Sequence, residues 1–354
     1  MKILAINPGS TSTKIALFED ENEIWAESLD YTRAQLDAYE TILDQIDLRR
    51  GDIEAILKNN ETAIVSLDAV VGRGGPFKPL AGGTYAVNET LLDDIREGRV
   101  QADHISNIGS ILAHELAQKA GAPAFFVDPV SVDEAGPLAK YSGLPELPRR
   151  SLVHALNVKA TARKAAAELG KKIDELNLVV AHLGGGISIC PVEKGRIVDV
   201  NNANDGGPFS PERAGTLPVT GLMKLCYSGK FTLAELKKKI IGNGGLVGYL
   251  GVSDSREVRR RIHAGDAEAK EVFQAQAYQI AKEIGAMCTV LKGRVDGIVL
   301  TGGLAYNELL VDWVTERVKF LAPVSCFPGE NELEALALGA LRVLKGDEEP
   351  NTYI

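Results

Sequence analysis

Two arginines stand among residues that leave them prominent. Arg73 lies in "GRGGP", directly after an apolar run and beside Gly72, Gly74 and Gly75, and Arg213 lies in "SPERAG". A guanidinium is a planar fork of fixed donors that matches carboxylate and phosphoryl oxygens, so both are candidate anion-binding groups. Of the five histidines, His154 opens a helical stretch and His182 closes an apolar run beside three consecutive glycines. A histidine at a strand end is as readily structural as functional. Asp128 follows "AFFV" and precedes Pro129. A carboxylate at the C-terminal end of a strand is where α/β proteins place metal-linked acids.

Three turns of small residues add donors. The first is "NPGSTSTK", between the apolar runs Ile3–Ile6 and Ile15–Phe18. Its backbone N–H groups can approach an anion, with the hydroxyls of Ser10, Thr11, Ser12 and Thr13 and the charge of Lys14 beside them. A polar hairpin without a ligand has the same composition. The second turn, "HLGGGIS", carries Gly184, Gly185 and Gly186. Each costs roughly 0.5–1 kcal/mol relative to alanine and a hairpin needs fewer, so the excess points to close approach of a ligand. The third, "VLTGGLAYNE", puts Gly302 and Gly303 between a buried strand and a helix beginning near Asn307. The N–H groups of a helix start face whatever lies ahead of it. This turn is not GxGxxG, and no GxxxxGK[ST] occurs in the chain.

The elements that carry these residues come in two similar sets. "ILAIN", "TKIALF" and "EIWAESL" read as a three-stranded meander, followed by a helical pattern from about Thr32 to Leu48. "LDAVVGRGG" is a short buried strand, "NETLLDDIREG" a helix with an Asn N-cap, "ISNIGSILAHELAQKAG" a helix ending at Gly121, and "PAFFVDP" a strand. After the helix "VHALNVKATARKAAAELG", the stretch "NLVVAHLGGGISICPVEKGRIVDV" again reads strand, turn, strand, turn, strand. A long helix (about Ala267 to Lys292), the strand "DGIVLTGG", a helix from Asn307, the strand "VSCFPG" and a closing helix from about Glu332 to Lys345 complete it. A meander followed by alternating α and β, occurring twice, predicts a duplicated α/β fold with two lobes facing a cleft. The Pro-rich run 141–151 is the expected crossing. Residues 1–150 with about 333–354 form one lobe, and 151–332 form the nucleotide-binding lobe.

Bulk properties narrow the class. At 354 residues, 45% apolar and 25% charged, the chain reads as a globular protein of about two domains. Its net charge of -9 argues against a nucleic-acid surface. Cys190, Cys226, Cys288 and Cys326 have no metal-binding spacing and read as buried thiols of a reducing compartment. The N-terminus shows no leader pattern, and no apolar stretch approaches the ~20 residues of a membrane span. The expectation is a cytoplasmic protein without nucleic-acid or membrane partners.

Seven blocks, in order over essentially the whole chain, resemble the acetate kinase (acetokinase) family: "NPGSTSTK", "VGRGGP", "VDPVSVDE", "RRSLVHALNVKA", "AHLGGGISI", "NNANDGGPFSPERAGTLP" and "FPGENELEALALGALRVL". "SPERAGTLP" and "HALNVKA" resemble its butyrate kinase branch in particular. The resemblance implies two ribonuclease H-like domains of the actin–hexokinase–Hsp70 type. It implies transfer of the ATP γ-phosphoryl group to butyrate or a short branched-chain acid, with ATP/ADP and Mg²⁺ as cofactors and a homodimer or higher homo-oligomer as the assembly. Acetate or propionate kinase, or a non-catalytic actin/Hsp70-like ATP switch, are the alternatives. The implied roles are substrate and transition-state contacts for Arg73 and Arg213, and phosphoryl-oxygen donors for His154 and His182. Asn7 would lie near the phosphates. Asp128 would be linked to Mg²⁺ together with Glu330 or Glu332, both of which fit. Asp254 and Arg256 resemble ribose and adenine contacts, although Ser253 or Asp254 also suits an ordinary N-cap. Acetate kinases carry bulkier residues at Gly75 and Val153, so these two positions are expected to open the acid pocket to a longer tail.

Overall fold

A computed structural model describes all 354 residues, and the chain divides into two units, Met1–Asp133 with Asn331–Ile354, and Glu134–Glu330. The division falls ahead of the Pro-rich run 141–151, which lies inside the second unit.

The first unit is built on a seven-stranded sheet. Strands β1 (Lys2–Pro8), β2 (Ser12–Glu19) and β3 (Asn22–Asp30) form the antiparallel meander. Then come β4 (Ala69–Arg73), β5 (Thr84–Ala86), β6 (Ala124–Val127) and β12 (Asn351–Thr352), in the sheet order β12-β5-β6-β4-β1-β2-β3. β1 and β4 run parallel and are buried on both faces, which is why they read as continuous apolar runs rather than alternating ones. Helices α1 (Arg33–Leu36), α2 (Ile46–Asn59), α3 (Glu89–Arg96), α4 (Asn107–Ala120) and α12 (Glu332–Lys345) belong to this unit. α4 and α12 pack on β1, β4 and β6.

The expected helix over 32–48 is not formed as one piece. Thr32 and Gln35 make a capping box that starts the short α1. Thr41 and Asp44 then exchange hydrogen bonds in the same way and restart the chain before α2. The long helix therefore runs through Gly51 to Asn59.

The second unit repeats the plan. β7 (Asn177–Leu183), β8 (Ile187–Glu193) and β9 (Arg196–Ile197) form the meander, and β10 (Gly297–Gly302) and β11 (Val324–Pro328) lie parallel beyond β7, in the order β11-β10-β7-β8-β9. This matches β6-β4-β1-β2-β3 strand for strand. Helices α10 (Ala267–Val290) and α11 (Glu308–Val318) take the places of α2 and α4 in chain order, and α5 (Ala155–Glu168) packs on β7 and β10 as α12 packs on β1 and β4, although α5 precedes its sheet and α12 follows its meander. Four shorter helices, α6 (Val219–Cys226), α7 (Leu233–Ile240), α8 (Gly245–Leu250) and α9 (Ser255–His263), are additions within it. The core of this unit joins Val179, Ala181 and Ile189 of the sheet to Phe273, Ile280 and Ile284 of α10 and Val314 of α11.

All four cysteines are free thiols, but only Cys190 and Cys288 are buried. Cys226 is exposed because no residue of α6 is buried, and Cys326 because β11 is an edge strand.

The C-terminal residues are anchored by one buried acid. Asp94 on α3 takes Nζ of Lys78 at 2.5 Å, Nε of Arg99 at 2.6 Å and the Tyr353 hydroxyl at 2.9 Å. Burial alone would raise its pKa, but these donors outweigh it and bring the carboxyl down to about 2. A folded pKa below the unfolded one stabilises above about pH 4, and that contribution is lost as pH falls toward 2. The stability gap between wild type and Asp94→Asn, measured by urea unfolding, is therefore expected to be full at pH 7 and to shrink below pH 4. A gap that stays constant with pH would contradict this.

Candidate active site

In the first unit the chemistry gathers at the C-terminal ends of β1, β4 and β6. β4 ends at Arg73 because Gly72 lets helix α4 lie directly on the strand. A Cβ on Gly72 would stand 2.0 Å from the Gly109 carbonyl oxygen, and one on Gly109 would stand 2.4 Å from that of Arg73. Nη1 of Arg73 donates to Oδ1 of Asn7 at 3.2 Å and pairs with Oε1 of Glu332 at 2.9 Å. Nδ2 of Asn7 donates to Oε2 of the same glutamate at 2.5 Å. Asn7, Arg73 and Glu332 thus form one polar cluster. His104 stands near it. Burial lowers its pKa, and the charge of Arg73 lowers it further.

Asp128 closes β6 with φ at 39°, in the left-handed region that a non-glycine residue occupies only under constraint. The constraint is reciprocal bonding with Gly83. The Gly83 N–H donates to Oδ1 of Asp128 at 2.7 Å, and the Asp128 N–H donates to the Gly83 carbonyl at 3.1 Å. In the first turn, Ser10 is exposed and Ser12 half-buried, and Lys14 projects from β2 into solvent.

At Gly75 the space on the side-chain face is filled from within the protein. A Cβ there would meet Oδ1 of Asn107 at 1.9 Å and the Asn107 backbone nitrogen at 2.9 Å. Gly75 is a glycine because the start of α4 packs on it, so a valine would displace that helix before filling any pocket. Gly74 is restricted likewise by Pro129, Phe126 and Phe77.

In the second unit His182 is the penultimate residue of β7, and His154 stands at the N-cap position of α5 without a side-chain capping bond. Their rings stack with centroids 4.0 Å apart and planes 11° from parallel. Nδ2 of Asn157 donates to the Gly329 and Glu330 carbonyls at 3.3 and 2.9 Å, which turns Oδ1 toward Nδ1 of His182 at 2.8 Å. That oxygen only accepts, so the proton of His182 sits on Nδ1. Nε2 then faces the glycine turn, 3.7 Å from Oε1 of Glu330, and donates there only when the ring is protonated. His154 meets the Ser188 hydroxyl through Nδ1 at 2.8 Å.

The three glycines of the second turn differ. A Cβ on Gly184 would touch Nε2 of His182 at 3.0 Å, and one on Gly186 would meet Nη1 of Arg213 at 2.5 Å. Gly185 has nothing nearer than Oε2 of Glu212 at 4.0 Å. Packing within the protein therefore accounts for Gly184 and Gly186 but leaves Gly185 unexplained. The "SPERAG" segment is fastened to this turn by the Ser210 hydroxyl, which donates to the Gly185 carbonyl at 2.5 Å and accepts from the Arg213 N–H at 3.1 Å. The Arg213 guanidinium is half-buried and makes no hydrogen bond or ion pair with the protein. Burial pulls its pKa down, against a smaller opposing pull from Glu212, and its donors remain available to an anion.

A cavity of about 660 Å³ opens here, the size of a ligand pocket. Gly184, Gly185, Asp254, Arg256, Gly303 and Asn307 line it, with Tyr306 and Glu330. Gly302, at φ 91°, has no room for a side chain, since a Cβ would stand 2.4 Å from the Leu183 carbonyl oxygen. Gly303 has open space around it. Asn307 holds the Ser255 carbonyl through Nδ2. Asp254 is the N-cap of α9 and also accepts two parallel bonds from Arg256, Nε to Oδ1 and Nη2 to Oδ2, so the capping role is present while both residues face the cavity. Glu330 thus belongs with His182 in this unit, and Glu332 with Arg73 and Asn7 in the other.

Residues 146–324 match the model of the acetokinase family. A protein of Caldanaerobacter subterraneus named "Probable butyrate kinase 2" is 53% identical over 99% of each chain. The chain belongs to the acetokinase family. A "Butyrate kinase 2" of Clostridium acetobutylicum is 50% identical, again over 99% of both chains. The crystal structure of Porphyromonas gingivalis acetate kinase matches at a TM-score of 0.77, covering 94% of this chain and 97% of that one; at 19% identity this shows a shared fold. Membership in a kinase family makes ATP/ADP the nucleotide. No helix is long and apolar enough to cross a membrane.

Family membership gives Gly185 a testable meaning. Gly185→Ala is expected to leave the melting temperature within about 1 °C of wild type, as an uncrowded substitution does. It should also raise KM for ATP, because the added methyl faces the cavity. A large drop in melting temperature, or an unchanged KM, would show that the glycine serves something else.

Proposed function

We propose that this protein is a butyrate kinase, which moves the γ-phosphoryl group of ATP to the carboxylate of butyrate or a short branched-chain acid, reversibly, giving an acyl phosphate and ADP. The observation that carries this is the 50–53% identity, over 99% of both chains, to proteins named butyrate kinases. The uncommitted guanidinium of Arg213 against Gly186, and the nucleotide-sized cavity lined by Gly184 and Gly185 of the same turn, support it.

A carboxylate is ionised at neutral pH, so the acceptor needs no general base. The protein has to hold two anions together and neutralise the charge of the group in flight. In this reading the cavity takes the nucleoside, with Asp254, Arg256, Gly303 and Asn307 around it. The N–H groups of Gly184, Gly185 and Gly186 and the first turn, with Ser10, Ser12 and Lys14, take phosphates. Arg213 and His154 donate to the oxygens of the transferring group, and His182 does so as an imidazolium backed by Glu330. Arg73 takes the acid's carboxylate, exchanging its bond to Glu332 for the substrate.

For Mg²⁺ the donor set fits. Asp128, Glu332 and the Asn7 amide are hard oxygen donors in one unit, of the kind Mg²⁺ takes alongside water and phosphate oxygens. Asp128 and Glu332 would hold the ion, which when bound spreads the negative charge of the phosphates. Glu332 suits this role better than Glu330, which faces His182. A cytoplasmic location follows from the nucleotide. A homodimer or larger homo-oligomer belongs to the same reading, supported by the exposed Val219, Met223, Tyr227 and Leu233, and sedimentation would give the mass.

Val153, 3% exposed ahead of His154, remains the proposed limit on the acid's tail. Val153→Phe is expected to lower the butyrate-to-acetate ratio of kcat/KM by about fifteen-fold, the value of roughly two CH₂ groups at ~0.8 kcal/mol each. An unchanged ratio would place the tail elsewhere.

A further inference from the structure

Arg49 is 0% exposed, yet no carboxylate pairs with it. Its guanidinium serves the first turn. Nη1 donates to the carbonyls of Gly9 at 3.0 Å and Ser12 at 2.9 Å and to the Thr13 hydroxyl at 2.8 Å. Nη2 donates to the Ser10 carbonyl at 3.4 Å and, with Nε, to the Gln45 side chain one helical turn back on α2. The Tyr31 ring lies 4.6 Å from the guanidinium carbon, and the Tyr31 N–H takes the remaining carbonyl of the turn, that of Thr11, at 2.8 Å.

A planar trans peptide presents its C=O and its N–H in opposite directions. Four consecutive carbonyls turned toward Arg49 and Tyr31 therefore turn the N–H groups of Ser10, Thr11 and Ser12 away from them. Ser10 and Thr11 are exposed. A charge behind the peptide planes also polarises each unit so that its outward N–H is more positive. Burying a cation is costly, and an apolar side chain of similar volume commonly serves stability as well or better. Here the guanidinium satisfies the carbonyls of Gly9, Ser10 and Ser12, and in doing so sets the shape of the turn.

We infer that Arg49 is a positioning residue for phosphate binding: from behind the first turn it aims and polarises the N–H groups that receive the polyphosphate of ATP. The inference rests on the reading that this turn takes the nucleotide's phosphates. It acts through the turn and touches neither substrate nor the group in flight.

The test is calorimetric titration of the full chain, with Mg²⁺ present, using the non-hydrolysable analogue AMPPNP and, separately, AMP. Wild type, Arg49→Met and Arg49→Lys are compared, with melting temperatures recorded. Arg49→Met is expected to weaken AMPPNP by about 10²-fold while AMP stays within about twofold, as misaimed binding groups can cost on this scale. Arg49→Lys keeps the charge but not the fork, and should weaken AMPPNP by roughly tenfold. Equal losses for both ligands, or AMPPNP affinity unchanged in either variant, would overturn the inference. If Arg49→Met does not fold, the lysine variant decides by the same criterion. Wild type binding AMPPNP no more tightly than AMP would instead remove the phosphate role of the turn, and the inference with it.

Discussion

Arg213→Ala should lower kcat by on the order of 10²–10³, with folding intact, because a preorganised donor to developing charge is worth that much. The side chain is half-buried and bonded to nothing in the protein, so its removal breaks no internal network. The space it leaves is beside Gly186, whose backbone it covers. Arg73→Ala should fall in the same range, but for a different local reason. Arg73 is tied to Asn7 and Glu332, and its loss leaves a half-buried carboxylate without its cation. Arg73→Ala should therefore lower the melting temperature as well as kcat, and Arg213→Ala should lower kcat alone. Lysine should not restore either fully, since an ammonium cannot reproduce the fork. Near wild-type turnover in either alanine variant would refute the assigned roles.

Gly72→Ala is expected to have the largest effect on folding. The added Cβ would meet the Gly109 carbonyl oxygen at 2.0 Å, its carbon at 2.4 Å and the Ser110 nitrogen at 3.1 Å. All three are backbone atoms of α4, which is held on the sheet by Ile108, Leu112 and Leu116 in the core. Nothing local can rotate away, so helix and strand must separate, at a cost of about 3 kcal/mol or more. The melting temperature should drop by roughly 6 °C or more. Gly185→Ala is the matched control: the same one-carbon change in a second glycine-rich turn, where the protein has room. Equal stability of the two variants would contradict the packing explanation for "VGRGG".

That pair of glycines shows what could and could not be read from sequence. Composition marks both "VGRGG" and "GGG" as places where side chains are not tolerated, but not what takes the space. In the first it is helix α4, Pro129 and Asn107; at Gly185 it is the open cavity. The two meanders are legible because their first two strands are almost wholly buried and leave apolar runs split by turn residues, and α3, α5 and α12 because Asn88, Gly170 and Gly346 mark their ends. The break before α2 was missed because a second capping box, at Thr41, competes with the helical pattern. Helices α6 to α8 leave little signal, since α6 and α7 bury almost nothing, and only the start of α9 is marked, by the N-cap at Asp254. Arg49 belongs to no motif in the sequence. Its signal was its spacing, since Arg49, Ile53, Ile56 and Leu57 share the buried stripe of α2. Glu330 and Glu332 could not be told apart by sequence. Asn331, in a left-handed conformation at φ 43°, reverses the chain between them and gives them different partners.

The central claim is tested most directly by measuring kcat/KM for acetate, propionate, butyrate, isobutyrate, valerate and isovalerate with ATP and Mg²⁺, trapping the acyl phosphate with hydroxylamine. ATP-dependent acyl hydroxamate is expected, with butyrate or a branched four- or five-carbon acid preferred over acetate. Absence of hydroxamate with every acid, or a clear preference for acetate, would contradict it.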